Sequence, residues 1–355
     1  MSLEYGQISL ENGEVAEARN SFAELMNHPD LPALPNLAYE ARWGYARALE
    51  ASGHLEEAVA EFEGLLKVVS PQADPDRWAW LHIALCRCHR ERGDFTTGAT
   101  MGEDGLRRLI QDHTLWTEPM VMLGATLLSV YNERGDLVHA RQFAHQLIER
   151  AEEVGSARSR AAAYWNAGLA AYYRGDLNEA LRLDERALAL LGESDDARNL
   201  ARLREDCGLL LLRARPDQAE RARDLLQQAM QELAASASSE VDDARCATDL
   251  AKAEITLGRP SHAVELAQRA VKQLDGAPRL AAAEALIALA EGYMGLDRSE
   301  DAVATLRRAA EKLEGMRSSR QAAQAWFDLA ELLGRSGDVK QQADAYRRAC
   351  ACVGL

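Results

Sequence analysis

The chain is poor in the residues that build strands, disulfides and membrane spans. Isoleucine and valine together supply 20 of its 355 residues, against 64 alanines. That balance favours helix and excludes an all-β architecture. Aromatics make up 6%. Six cysteines without regular spacing do not form a disulfide framework and suit a reducing compartment. No apolar run approaches the roughly 18–20 residues of a bilayer span, and the N-terminus lacks a basic stretch followed by an apolar core, so a cytoplasmic location is expected. Bases are also scarce, 41 against 56 acids, for a formal charge of -15. Such a charge repels phosphate backbones, so direct nucleic-acid contact by this segment is not expected. Of the 41 bases, 36 are arginine, which with the alanine excess points to a high-GC bacterial genome.

Signatures of chemistry are missing too. No G-x-x-x-x-G-K-[ST], G-x-G-x-x-G, G-x-S-x-G or H-E-x-x-H occurs. Cys86 and Cys88 stand two apart, which on a helix turns them about 200° away from each other, so they do not form a metal pair. Cys350 and Cys352 fail in the same way. His82 and His89 share a helix face at packing positions and read as interior histidines. An enzyme would need convergent titratable groups in a closed pocket, and the sequence offers only scattered candidates. The expectation is a protein without catalytic residues, cofactor or metal.

What is present is a repeat. Turn signals occur at Gly13, Gly53, Gly93, Gly135, Gly175, Asp217, Gly258, Asp297 and Gly337, spaced by 39 to 42 residues. Each is flanked by segments with apolar residues three and four apart, as in amphipathic helices, so each unit reads as a helical hairpin. Five residues after the turn stands a small residue: Ala18, Ala58, Gly98, Ala140, Ala180, Ala263 or Ala302. Seven further on come Ala187, Ala270, Ala309 and Ala349. Seven before the turn lie Gly6, Ala46, Cys86, Gly168, Ala251 and Ala330. Small side chains there allow close helix approach. The nine prolines fall between units or at turns, with Pro278 among the former.

These residues resemble the tetratricopeptide repeat, over almost the whole chain and with a period nearer 40 than 34. The resemblance implies an all-α, right-handed α-solenoid superhelix of about eight to nine antiparallel helix pairs. Read as a single solenoid over 1–355, the repeats run about 1–32, 33–73, 74–115, 116–156, 157–195, 196–238, 239–277, 278–317 and 318–355. The first helix, up to Asn12, is shorter than its equivalents, so the chain is expected to begin inside a repeat with a further domain upstream.

In that family the concave groove is lined by positions counted back from the turn. They place Trp43, Arg47, Trp80, Arg87, Arg90, Asn132, Trp165, Asn166 and Tyr172 in the early groove, and Arg204, Asp249, Lys252, Glu291, Phe327, Asp328 and Glu331 later. Trp, Tyr and Arg are enriched at binding hot spots, because each combines large buried area with a polar handle. Asn132 and Asn166 carry amides able to pair with an extended backbone. The tryptophans read equally as bridges between adjacent units. The carboxylate clamp of chaperone adaptors is not matched, since its places hold Trp43, Arg47, Ala84, Met122 and Thr126. Long-period arrays of this kind are similar to the C-terminal halves of bacterial helix-turn-helix regulators. That resemblance implies an effector-sensing module that binds a peptide or small ligand, reaches DNA only through another domain, leaves a homodimer open and makes no membrane contact. The alternative is a passive adaptor that scaffolds other proteins.

Overall fold

The computed structural model describes residues 3–112, 115–154, 156–193, 196–235, 240–274, 279–314 and 320–354, and among them every regular element is helical. The chain divides into two compact units, Met1–Tyr173 and Arg174–Leu355.

The first unit holds α1 (Leu3–Glu11), α2 (Val15–Met26), α3 (Pro35–Ala51), α4 (Leu55–Leu66), α5 (Pro75–Glu91), α6 (Phe95–Asp112), α7 (Glu118–Arg134), α8 (Leu137–Val154) and α9 (Ala157–Tyr173). Helices adjacent in sequence pack as antiparallel hairpins, and α5 also packs on α7, and α7 on α9. The second unit holds α10 (Leu177–Leu191), α11 (Ala197–Ala214), α12 (Ala219–Ala235), α13 (Glu240–Thr256), α14 (Pro260–Gln273), α15 (Arg279–Gly295), α16 (Ser299–Leu313), α17 (Arg320–Arg335) and α18 (Val339–Cys352). There α11 packs on α13, α13 on α15 and α15 on α17. In both units, then, the first helix of each hairpin contacts the first helix of the next.

The expected turns carry the hairpins. Gly13, Gly53, Gly93, Gly135, Gly175, Gly258 and Gly337 all adopt positive φ, and Asp297 does so at 58°. At Gly135 the reason is visible. With φ of 87° it reverses the chain so that its N–H and that of Asp136 donate to the Tyr131 carbonyl, at 3.0 and 3.1 Å, which closes the end of α7. The expected turn at Asp217 differs. Here α11 runs to Ala214 and a short 3-10 turn, Pro216–Gln218, leads into α12. Proline has no N–H to donate and fixes its φ, so the glycine-type closure is replaced. Pro278 lies outside the described residues.

The small-residue pattern forms the inter-helix seams. Ala18, Ala58, Ala140, Ala180, Ala263 and Ala302 are all completely buried, as are Ala46, Cys86, Ala251 and Ala330 on the first helices. Leucines fill the spaces they leave. One core joins Ala46, Leu49, Ala58, Phe62, Leu81 and Leu85, and another joins Leu226, Leu250, Ala263, Leu289 and Ala302. No helix among the described residues is long and apolar enough to cross a membrane.

Candidate functional site: the inner helices of the first unit

The expected ligand-binding residues sit on α3, α5, α7 and α9, the first helices of successive hairpins. Trp43 is half-buried, its ring 5.3 Å from that of Phe62 on α4, so one edge is committed to the hairpin core. Arg47, one helical turn on, lies over the Trp43 ring at 5.9 Å. Its Nε is 3.0 Å from Glu50. The same carboxylate takes both donors of Arg87 on α5, Nε at 2.8 Å and Nη2 at 3.0 Å. Glu50 thus links α3 to α5 by a two-pronged, charge-assisted bond. Burial opposes the charge on Arg87, but Glu50 more than offsets it and the guanidinium is held more firmly protonated than usual. Arg47 is pushed the other way, by burial first and by Arg87 second. Two cations sharing one carboxylate leave a net positive cluster.

Further along, Arg90 donates to Ser129 Oγ on α7 at 3.0 Å, and Ser129 donates to the Thr126 carbonyl at 2.7 Å. Asn132 is wholly buried, and its Nδ2 donates to the Asn166 backbone carbonyl on α9 at 3.1 Å. Its Oδ1 has no hydrogen-bond partner. Asn132 therefore fixes the spacing of α7 and α9 from inside. Asn166 is partly exposed, with its Nδ2 turned back to the Ala162 carbonyl at 3.0 Å. Tyr172 is half-buried with its ring 5.5 Å from Tyr173. Trp80 on α5 and Trp165 on α9 are likewise half-buried. The structure thus joins Trp43, Arg47 and Arg87 through Glu50, and joins Asn132 to Asn166. Of the remaining residues, Trp80 and Arg90 share α5, and Trp165 and Tyr172 share α9.

Several residues escape the sequence reading. Trp78, not Trp80, is the buried tryptophan of α5, 7% exposed, with its indole N–H donating to the Gly105 carbonyl at 3.3 Å. His82 is interior as expected, its Nδ1 2.8 Å from the Met101 carbonyl, and burial lowers its pKa to about 4. In the second unit the longer turn after α11 displaces the count by two residues. Arg204, expected in the groove, instead pairs with Glu232 of its own hairpin at 2.9 Å. Gly208, against which α12 packs through Leu226, marks the true register and was the available signal. Counting from it puts Glu205 and Asp206 at the positions that the family resemblance assigns to the groove, with Glu205 buried.

Two segments, residues 39–63 and 283–308, match the tetratricopeptide repeat family. No curated protein matches the chain in sequence. Among solved structures, a Rap protein complexed with competence and sporulation factor superposes with a TM-score of 0.64 at 13% identity, covering 99% of this chain and 96% of that one. The apo quorum sensor NprR from B. thuringiensis gives 0.59 at 15%, covering 99% and 97%. BtubC from P. vanneervenii gives 0.51 at 16%, covering 62% and 91%. At such identities the likeness is one of fold, and the chain resembles tetratricopeptide sensor proteins in the arrangement of its helical hairpins.

Proposed function

We propose that the inner helices of the first unit bind an extended peptide or small effector, and that the chain is the non-enzymatic sensing module of a bacterial transcriptional regulator. The observation that carries this reading is that Trp43, Trp80 and Trp165 are half-buried on the first helices α3, α5 and α9, with the net positive Arg47–Glu50–Arg87 cluster next to Trp43. Half-buried indoles keep a face for a ligand while their other edge is positioned by packing, and a guanidinium beside them receives a carboxylate or a backbone carbonyl. The Asn132–Asn166 link holds α7 and α9 at the spacing the ligand meets. The likeness in fold to a Rap protein bound to competence and sporulation factor, and to the quorum sensor NprR, supports the reading. A ligand touching several hairpins shifts their relative packing only if it binds one arrangement better than another.

The test is intrinsic tryptophan fluorescence, titrated with short peptides from the host culture medium and read alongside thermal melting. Trp80→Ala is expected to weaken binding by about 2 kcal/mol, roughly thirtyfold, while the melting temperature holds. Lost stability with undiminished binding would make Trp80 a bridge between hairpins and end the proposal. Operator binding by the full-length regulator that responds to the peptide supports the sensing role, and an indifferent response favours a passive adaptor.

A further inference from the structure

The second unit carries a separate assembly of charge on α11 and on the helices that follow it in the stack. Glu205 on α11 is only 4% exposed, and its Oε1 has no hydrogen-bond partner. The carboxylates around it are already committed. Asp242 on α13 receives Arg198 at 2.8 Å and Arg202 at 2.7 Å. Asp249 on α13 holds Lys252 at 2.7 Å, and Asp328 on α17 lies 3.5 Å from Arg213. Among the described residues Glu205 forms no such ion pair, and Arg245 is the base that acts on it. The charged groups facing it are Asp206 on its own helix and Asp242, Arg245 and Asp249 on α13. Asp184 on α10 bears on Asp206, and Glu284 on α15 bears on Arg245.

A buried carboxylate without a partner is costly when ionised, and it is relieved either by a proton or by a cation. The neighbourhood favours a cation. Six carboxylates, Glu205, Asp206, Asp242, Asp249, Glu284 and Asp328, stand among five bases, Arg198, Arg202, Arg213, Arg245 and Lys252. Among the described residues no group of three or more His, Cys, Asp or Glu is disposed to hold a metal ion. An organic cation satisfies Glu205 through a single charge-assisted hydrogen bond, with no need for several ligands in fixed geometry.

We propose that Glu205, supported by Asp206 and Asp249, is the receptor for an organic cation, an alkylammonium or guanidinium group, at a site in the second unit distinct from the tryptophan-bearing helices of the first. Burial, then Asp249, raises the pKa of the Glu205 carboxyl well above its ordinary value, with Arg245 opposing. An ammonium competes with the proton for this carboxyl: its N–H donates to the ionised Glu205 carboxylate, and a proton held there leaves to solvent. Binding therefore tightens as pH rises.

Titration calorimetry on the full chain tests this, with spermidine as a polyamine probe and N-acetylarginine amide as a peptide side-chain probe, each in phosphate and in Tris at pH 7. Binding of either probe is expected with an apparent heat that differs between the buffers, as the release of up to about one proton requires. Glu205→Gln is expected to weaken that binding by about tenfold or more while melting is retained. Response to spermidine alone assigns a polyamine, and response to the arginine probe alone assigns a basic peptide. Failure of both probes, binding without proton release, or equal affinity in Glu205→Gln overturns the proposal, and the proton count needs no variant to fold. Trp80→Ala should leave the result unchanged, so this site and the first-unit reading stand or fall separately.

Discussion

At the scale of single residues, the second unit places carboxyls where water cannot reach them. Asp184 is 5% exposed, and its Oδ1 has no partner. Burial, then the charge of Asp206, raises its pKa to about 8. The sign of its effect on stability follows. The folded chain holds a proton that the unfolded chain gives up near 3.8, so the contribution to stability is complete below that value and is lost as pH rises toward 8. Asp184→Asn removes that loss. The variant is expected to be more stable than the parent by about 1–3 kcal/mol at pH 8 and to match it near pH 4, read from urea denaturation across that range. His82 works in the opposite direction. Its depressed pKa makes the folded state less tolerant of acid between about 6.5 and 4. His82 read as an interior residue from its packing position, whereas the burial of Asp184 was not legible in the sequence, because an aspartate in an amphipathic pattern is ordinarily on the solvated face. Only packing reveals that α11 closes over it.

Elements were far more legible. A small residue five after the turn and, in most units, another seven before it report seams where helices approach closely, and Ala18, Ala58, Ala140, Ala46, Ala251 and Ala330 are completely buried. The turns were read nearly as well, through the one backbone feature glycine supplies. Asp297 shows the cost of doing without it, holding φ of 58° between α15 and α16 where its counterparts have glycine. Left-handed backbone strains an L side chain, although aspartate tolerates it better than most. Asp297→Gly is expected to stabilise the chain by about 0.5–1 kcal/mol, visible as a shift in the denaturant midpoint at constant slope. An unchanged midpoint would mean that a side-chain contact of Asp297 outweighs the strain. The turn after α11 was the weak point of the sequence reading. Pro216 adds a 3-10 turn, the count from Asp217 slipped by two, so Arg204 was named where Arg202 stands in register, and Glu205 was passed over.

Across the whole molecule, an array of hairpins distributes stability by neighbours, because each pair is held mainly by the pairs beside it. The helices α1 and α18 have the least of this. Only Gly6 and Ser9 are buried in α1, and only Ala345 and Ala349 in α18, while α5 buries ten residues. Hydrogen exchange is expected to release the amides of α1 and α18 well before those of α5, α7 and α13. Uniform protection would show that each unit opens as a block. The candidate site was legible in part at this scale. Repeat spacing indicated which helices come first in each hairpin, but not which of their side chains were spent on one another. Arg87 reads as a free cation in sequence and is held by Glu50, and Asn132 reads as a ligand donor and is sealed between α7 and α9.

Arg213 and Asp328, 3.5 Å apart, tie α11 to α17, two helices that belong to hairpins separated by α13 to α16. In a stack whose members touch only their neighbours, such a tie is a shackle between distant coils of a spring. Pulled along its length, the second unit should feel this tie before its hairpins part link by link, and any solute that competes for either end of the pair would tune its stiffness.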